Sequence, residues 1–104
     1  MANGVVVTVS WTLKPEAVDV FVASLGDMFK ETRLKEGFRN IRLLRNDSEP
    51  NRFTLIEEWD EARNYHEYVA WRTERGDFDG LAGMVTDAPQ VGVWDLDPLA
   101  AAEA

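Results

Sequence analysis

The chain has no cysteine, which excludes disulfides, thiolate nucleophiles and Cys-ligated zinc or iron–sulfur centres. Its 104 residues include a single histidine, His66. A catalytic metal would therefore rest on carboxylates, and neither an EF-hand loop nor H-E-x-x-H occurs. A glycine-rich phosphate loop and G-x-S-x-G are also missing, which leaves nucleotide binding and serine hydrolysis without support. Bases are scarce: 11 Lys and Arg against 19 Asp and Glu give a net charge of -8. No basic stripe is present to replace phosphate counterions, so nucleic acid and anionic membrane surfaces are disfavoured partners. No stretch approaches the roughly 20 apolar residues of a membrane span. The opening "MANGVVVTVSW" lacks a basic n-region and alternates in polarity, which predicts a cytoplasmic protein.

What remains is an ordinary globular composition, 45% hydrophobic, at the size of one small domain. A chain this short buries only part of its apolar surface, and an association interface often completes the core. "VVVTVSWTL" (5–13) sets Val5, Val7, Val9, Trp11 and Leu13 on one face, the period of a strand. "KPEAVDVFVASLGDMFKETRLKEG" then places Val18, Phe21, Val22, Leu25, Met28, Phe29 and Thr32 on one helical stripe, with Pro15 at its start and Gly37 at its end. Residues 38–46 and 52–59 read as a hairpin around "DSEPN". Asp60 is the predicted N-cap of a second helix over 61–74, ended by Gly76. Asp77 caps a short helical piece through Val85, and 90–96 form the last strand. Residues 1–98 make a single domain, and 99–104 a flexible tail. The order predicts an α+β, ferredoxin-like βαββαβ antiparallel sheet with both helices on one face. Apolar or aromatic residues at both parities in three of the four strands suggest that a second copy covers the other face.

The chemistry concentrates in "IEEWDEARNYHEYVAWRTERGDF" (56–78), where Trp59, Tyr65, Tyr68, Trp71 and Phe78 surround His66. On a helical wheel Ala62, His66, Val69 and Thr73 form one stripe, which is taken as the inward one. One reading makes His66 a core residue bonded to a tyrosine or a carbonyl. The other makes it the ionisable group of an aromatic pocket for a planar phenolic ring. The "EE" pair at 57–58 points to opposite strand faces and is no paired-carboxylate site.

"KPE" into the first helix, "ETRLKEGF" at its end, "FTLIEEW" and "ARNYHEY" together resemble the antibiotic biosynthesis monooxygenase superfamily, including its quinol monooxygenase-like members. The most specific signature is Glu57, Trp59 and His66 in the spacing E-x-W-(six residues)-H. The resemblance implies a homodimeric α+β barrel with sheets packed face to face. It also implies, for some members, oxygenation of quinols or aromatic polyketides by dioxygen with no metal, flavin or other cofactor. On that basis His66 is the expected catalytic base, Trp59, Tyr68 and Trp71 stack on the substrate ring, and Arg42 holds a substrate oxygen. The alternatives are a non-catalytic small-molecule binding domain and a haem-binding or haem-degrading protein. The first strand lacks the asparagine of the haem-degrading branch.

Overall fold

A computed structural model describes residues 3–96. The alternating valines of the opening segment become β1 (Val5–Thr12), at the centre of the sheet. Pro15 fixes a single 3₁₀ turn that leads directly into α1 (Val18–Thr32). The hairpin is β2 (Phe38–Arg45) and β3 (Arg52–Trp59). Within its turn the Asn46 side chain accepts the Ser48 and Glu49 amides. After α2 (Ala62–Glu74), a 3₁₀ turn at Leu81–Gly83 precedes β4 (Gln90–Asp95). The sheet runs β2-β3-β1-β4 with every pair antiparallel, the ferredoxin-like α+β arrangement read from the sequence. The predicted tail lies outside the described residues. Among those residues no helix is long and apolar enough to cross a membrane.

Register fixes which side chains share a face, because paired residues point the same way and parity alternates. Val7 pairs with Glu57, Val9 with Leu55, and Trp11 with Phe53. This set faces the helices and builds two connected clusters. Val5, Val7, Trp59, Tyr65 and Tyr68 form one beneath α2; Trp11, Leu13, Phe53 and Val85 form the other beneath α1 and residues 81–85. Val9 touches both. The opposite face presents Val6, Thr8, Ser10, Ile56, Leu44 and Trp94, and among the described residues no helix covers it.

Three local details depart from the sequence reading. The N-cap of α2 is Glu61, in a capping box with Asn64. Asp60 instead receives Arg39 Nε at 2.7 Å. α1 stops at Thr32, before Gly37. Gly37 adopts φ +81° in the turn before β2, and a Cβ there would overlap the Asn64 side chain. Its role is therefore to let the start of α2 approach the sheet closely. Third, only Leu25 and Thr32 of the α1 stripe are fully buried, while Val22 is exposed.

Candidate active site

Between α1, the sheet and residues 77–89 lies a cavity of about 340 Å³. Phe21, Ser24 and Met28 line it from α1 at the three-to-four spacing of one helical face,. Val9, Trp11 and Leu55 form its floor; Phe78, Leu81, Met84 and Pro89 close it from the connecting segment, with Asp77 at its margin. The Trp11 ring meets Phe21 edge-on at 5.5 Å and stacks on Phe53 at 5.9 Å. These walls suit a flat apolar ring, and the volume lies at the lower end of the roughly 300–1,000 Å³ usual for small-molecule sites. A larger depression of about 560 Å³ is lined by Asn3, Gly4, Asp60, Glu61, Arg63 and Asp95 among others. Its wall carries four charged side chains and no aromatic ring, so it offers nothing comparable to an aromatic ligand.

One strand row from the cavity floor sits Glu57. It is 3% exposed and faces the helices from a stretch whose other inward residues are Phe53, Leu55 and Trp59. Trp59 Nε1 donates to its carboxylate at 2.9 Å, the one hydrogen bond the carboxylate makes among the described residues. Burial raises its pKa; the Trp59 hydrogen bond and Arg72 oppose that rise without cancelling it,. The neighbouring Tyr65 phenol is pushed up to about 12 by burial, then by Glu57 and Tyr68. Tyr65 thus stays neutral near pH 7, and Glu57 is the buried carboxylate beside it.

Arg72 is the other buried charge, 2% exposed, and its environment is the reverse. Nε donates to Tyr68 Oη at 3.0 Å; Nη1 donates to Asp77 at 2.9 Å and Glu31 at 3.2 Å. Nη2 donates to the Met28 carbonyl at 2.9 Å and to Thr32 Oγ1 at 3.2 Å. Each of the guanidinium's N–H donors has an acceptor. The cluster ties α1 to α2, and through Asp77 it anchors the segment that closes the cavity. Arg75, then Arg72, bonds the Glu31 carboxylate and lowers its pKa.

The residues singled out from sequence are dispersed. His66 is exposed and lines no wall of the cavity, which corrects the inward stripe. The buried residues of α2 are Asn64, Tyr65, Tyr68 and Arg72. Trp59 is wholly buried against Phe38 and Tyr68, so it is core and offers no ring to a ligand. Tyr68 Oη is engaged by Thr32 at 3.1 Å as well as by Arg72. Trp71 lies half-buried outside the cavity, with Lys35 Nζ 3.4 Å from its ring centroid and Arg75 at 4.4 Å. Arg42 pairs with Ile56 on the helix-free face, across the sheet from the cavity. Sequence reasoning gave no role to Trp11 or Arg72, and named Glu57 only within the family signature, without a chemical role. The parity of Glu57 with Phe53 and Trp59 was the available signal. Among the described residues no group of three or more His, Asp or Glu side chains is placed to hold a metal ion.

The fold has several solved counterparts. A conserved protein from Methanosarcina mazei Go1 superposes with a TM-score of 0.81 at 18% identity, covering 90% of this chain and 93% of that one. A structure described as an antibiotic biosynthesis monooxygenase gives 0.79 at 20% identity, covering 90% and 99%. A protein of unknown function from Nitrosomonas europaea, NE2512, gives 0.75 at 12% identity, covering 89% and 88%. At these identities the likeness concerns the fold alone. No curated protein matches the chain in sequence. The family model for antibiotic biosynthesis monooxygenases matches residues 4–73, from the residue before β1 almost to the end of α2. The chain belongs to the antibiotic biosynthesis monooxygenase family.

Proposed function

We propose that this protein is a cofactor-independent monooxygenase acting on a small hydroxylated aromatic bound in the cavity between α1, the sheet and residues 77–89. The observation that carries this reading is the aromatic-walled cavity with a buried, weakly partnered carboxylate one row away. The substrate supplies its own electrons. Glu57 accepts the phenolic proton, and the electron-rich anion passes one electron to dioxygen. Recombination forms a carbon–oxygen bond and a hydroperoxide, and loss of water leaves a carbonyl. For an anthrone, a CH₂ group and O₂ give C=O and H₂O, so one oxygen atom enters the ring system and the other leaves as water. Apolar and aromatic walls on the bound side of the ring would also limit protonation of the anion by water,.

The test is oxygen uptake on a panel of anthrones and hydroquinones, with chelator-treated and dialysed protein. Turnover should consume one O₂ per product without releasing peroxide. Glu57→Gln should lower kcat by about 10²–10⁴-fold, the usual contribution of a general base. Binding of the panel without any uptake would leave a non-catalytic binding domain as the correct reading.

We also propose a homodimer through the helix-free sheet face. That face carries half-buried Val6, Thr8 and Ile56 beside Leu44 and Trp94, which are 46% and 59% exposed. An apolar surface of this kind favours burial against a second copy.

A further inference from the structure

The chain has no cysteine, so its three methionines carry all of its sulfur. Met1 opens the sequence. The other two, Met28 and Met84, line the same cavity, one from α1 and the other from the connecting segment. Both are half-buried, so they form part of the wall and stay within reach of small solutes. Their backbones are held firmly. The Met28 carbonyl accepts Arg72 Nη2 at 2.9 Å and Thr32 Oγ1 at 3.0 Å, and the Met84 carbonyl accepts the Lys14 amide at 2.8 Å. The cavity's other side chains offer no spare hydrogen-bond donor. Ser24 Oγ donates to the Phe21 carbonyl at 2.7 Å, Asp77 is an acceptor engaged by Arg72, and the Trp11 indole nitrogen is buried away from solvent. The remaining lining residues are apolar.

We infer that Met28 and Met84 form an oxidation site through which peroxide closes the cavity to apolar ligands; this rests on the cavity being the ligand site. A thioether lone pair attacks one peroxide oxygen, the O–O bond breaks, and the other oxygen leaves as water. Sulfur is oxidised, peroxide is reduced, and no further reactant is needed. The sulfoxide is polar where the thioether was apolar. Its oxygen is a strong acceptor facing walls with no free donor. It therefore either keeps water in the cavity or meets a bound ring unpaired, at the usual cost of a buried polar group. An apolar ligand loses affinity in both cases. Leucine would fill nearly the same volume without this sensitivity. Any peroxide that escaped the proposed reaction would be released into the cavity that both methionines line.

Naphthalene serves as the probe, because it is apolar and carries no hydroxyl to be turned over. Its affinity is read by fluorescence titration before and after treatment with hydrogen peroxide, and peptide mass mapping locates the added oxygen. Met28 and Met84 should each gain one oxygen atom. Affinity should then fall by about 10-fold to 100-fold, the usual penalty of one unpaired buried polar group. Methionine sulfoxide reductases acting on both sulfoxide epimers should restore it. The Met28→Leu/Met84→Leu variant is compared only with its own untreated form, and its affinity should not change with peroxide. An equal loss in that variant would assign the damage to other residues and overturn the inference. So would mapping that finds oxygen on Met1 and none on Met28 or Met84. Oxidation of both with unchanged affinity overturns the inference while leaving the cavity as the ligand site; failure of untreated wild type to bind naphthalene overturns both. Should the variant not fold, the reductases decide on wild type: affinity that stays low once the sulfoxides are reduced refutes the site.

Discussion

Removing the Arg72 side chain should be among the most damaging single changes in this protein. The guanidinium is 2% exposed and donates to five acceptors drawn from α1, α2 and the segment after it. Arg72→Ala leaves a void where a long side chain stood and strips Asp77 of its nearest cation. The damage is bounded, because Thr32 Oγ1 keeps the Met28 carbonyl at 3.0 Å, Tyr68 Oη keeps Thr32, and Glu31 keeps Arg75 at 2.6 Å. A loss of roughly 3 kcal/mol follows, at the lower end for breaking a buried charge cluster. A domain of this size is stable by about 5–15 kcal/mol in total. At about 4–8 °C per kcal/mol, the melting temperature should fall by roughly 12–24 °C in a calorimetric scan. Arg72→Lys keeps a cation but cannot reach all five acceptors, so it should recover part of the loss. Hydrogen exchange should accelerate most in residues 77–84, which Asp77 tethers. A shift below about 4 °C for Arg72→Ala would refute the reasoning and show the cluster to be hydrated and replaceable.

The remaining predictions concern single side chains. His66→Ala should leave oxygen uptake and the melting temperature near wild type, since His66 is exposed; a large kcat loss with normal stability would restore it as the base. Trp94→Glu together with Leu44→Glu should turn a dimer into a monomer in size-exclusion chromatography with light scattering, and a wild-type monomer would remove the interface proposal. Glu57→Gln should raise stability at pH 7 by about 0.5–2 kcal/mol, the usual yield of relieving one unfavourable interaction. Its folded pKa lies above the unfolded value, so the native state binds the proton more tightly. Stability from this group is greatest below the unfolded pKa and is lost as pH rises through the folded one. The Gln variant's advantage should therefore grow across that window and disappear in acid, as read from melts at pH 4 and pH 7. Glu31 has the opposite sign: its lowered folded pKa gives stability above the unfolded value that is lost as pH falls through the folded one,. Glu31→Gln should accordingly cost stability at neutral pH and little in strong acid.

The sheet and the order of its elements were legible because β1 and β3 alternate cleanly. The phase of α2 was not. His66 and Tyr65 are adjacent, and both belong to stripes spaced at three and four: 62, 66, 69 and 73 against 65, 68 and 72. Hydropathy favours the first, with Ala62 and Val69. The structure buries the second, through Tyr65, Tyr68 and Arg72. Tyrosine and arginine can be interior when their polar ends have partners, and here the partners come from Thr32, Glu31 and Asp77. Nothing local to α2 announces those contacts, more than 30 residues away in the case of Thr32 and Glu31. The aromatic crowding around His66 likewise divides on folding, with Trp59 and Tyr68 going to the core, Phe78 to the cavity and Trp71 to a cationic surface.

Three buried polar groups then separate structural from functional roles. Arg72 has an acceptor for every donor, the arrangement of a group retained to hold elements together. Glu57 has one donor for its carboxylate, and Trp11 has no acceptor at all. Incomplete pairing is destabilising, and both groups could be replaced by apolar residues without disturbing the strand parity that places them. They sit in consecutive regions of one sheet face, Glu57 a row beyond Leu55 and Trp11 a row beyond Val9 in the other direction. A ring lying over Val9 and Leu55 would come between the two residues, with its acidic hydrogen toward the carboxylate and its edge against the Trp11 ring. The two substitutions should consequently be non-additive in kcat/KM, with coupling of about 0.5–3 kcal/mol in a Glu57→Gln/Trp11→Phe cycle. Strict additivity would mean that the two groups address different ligands or no common one.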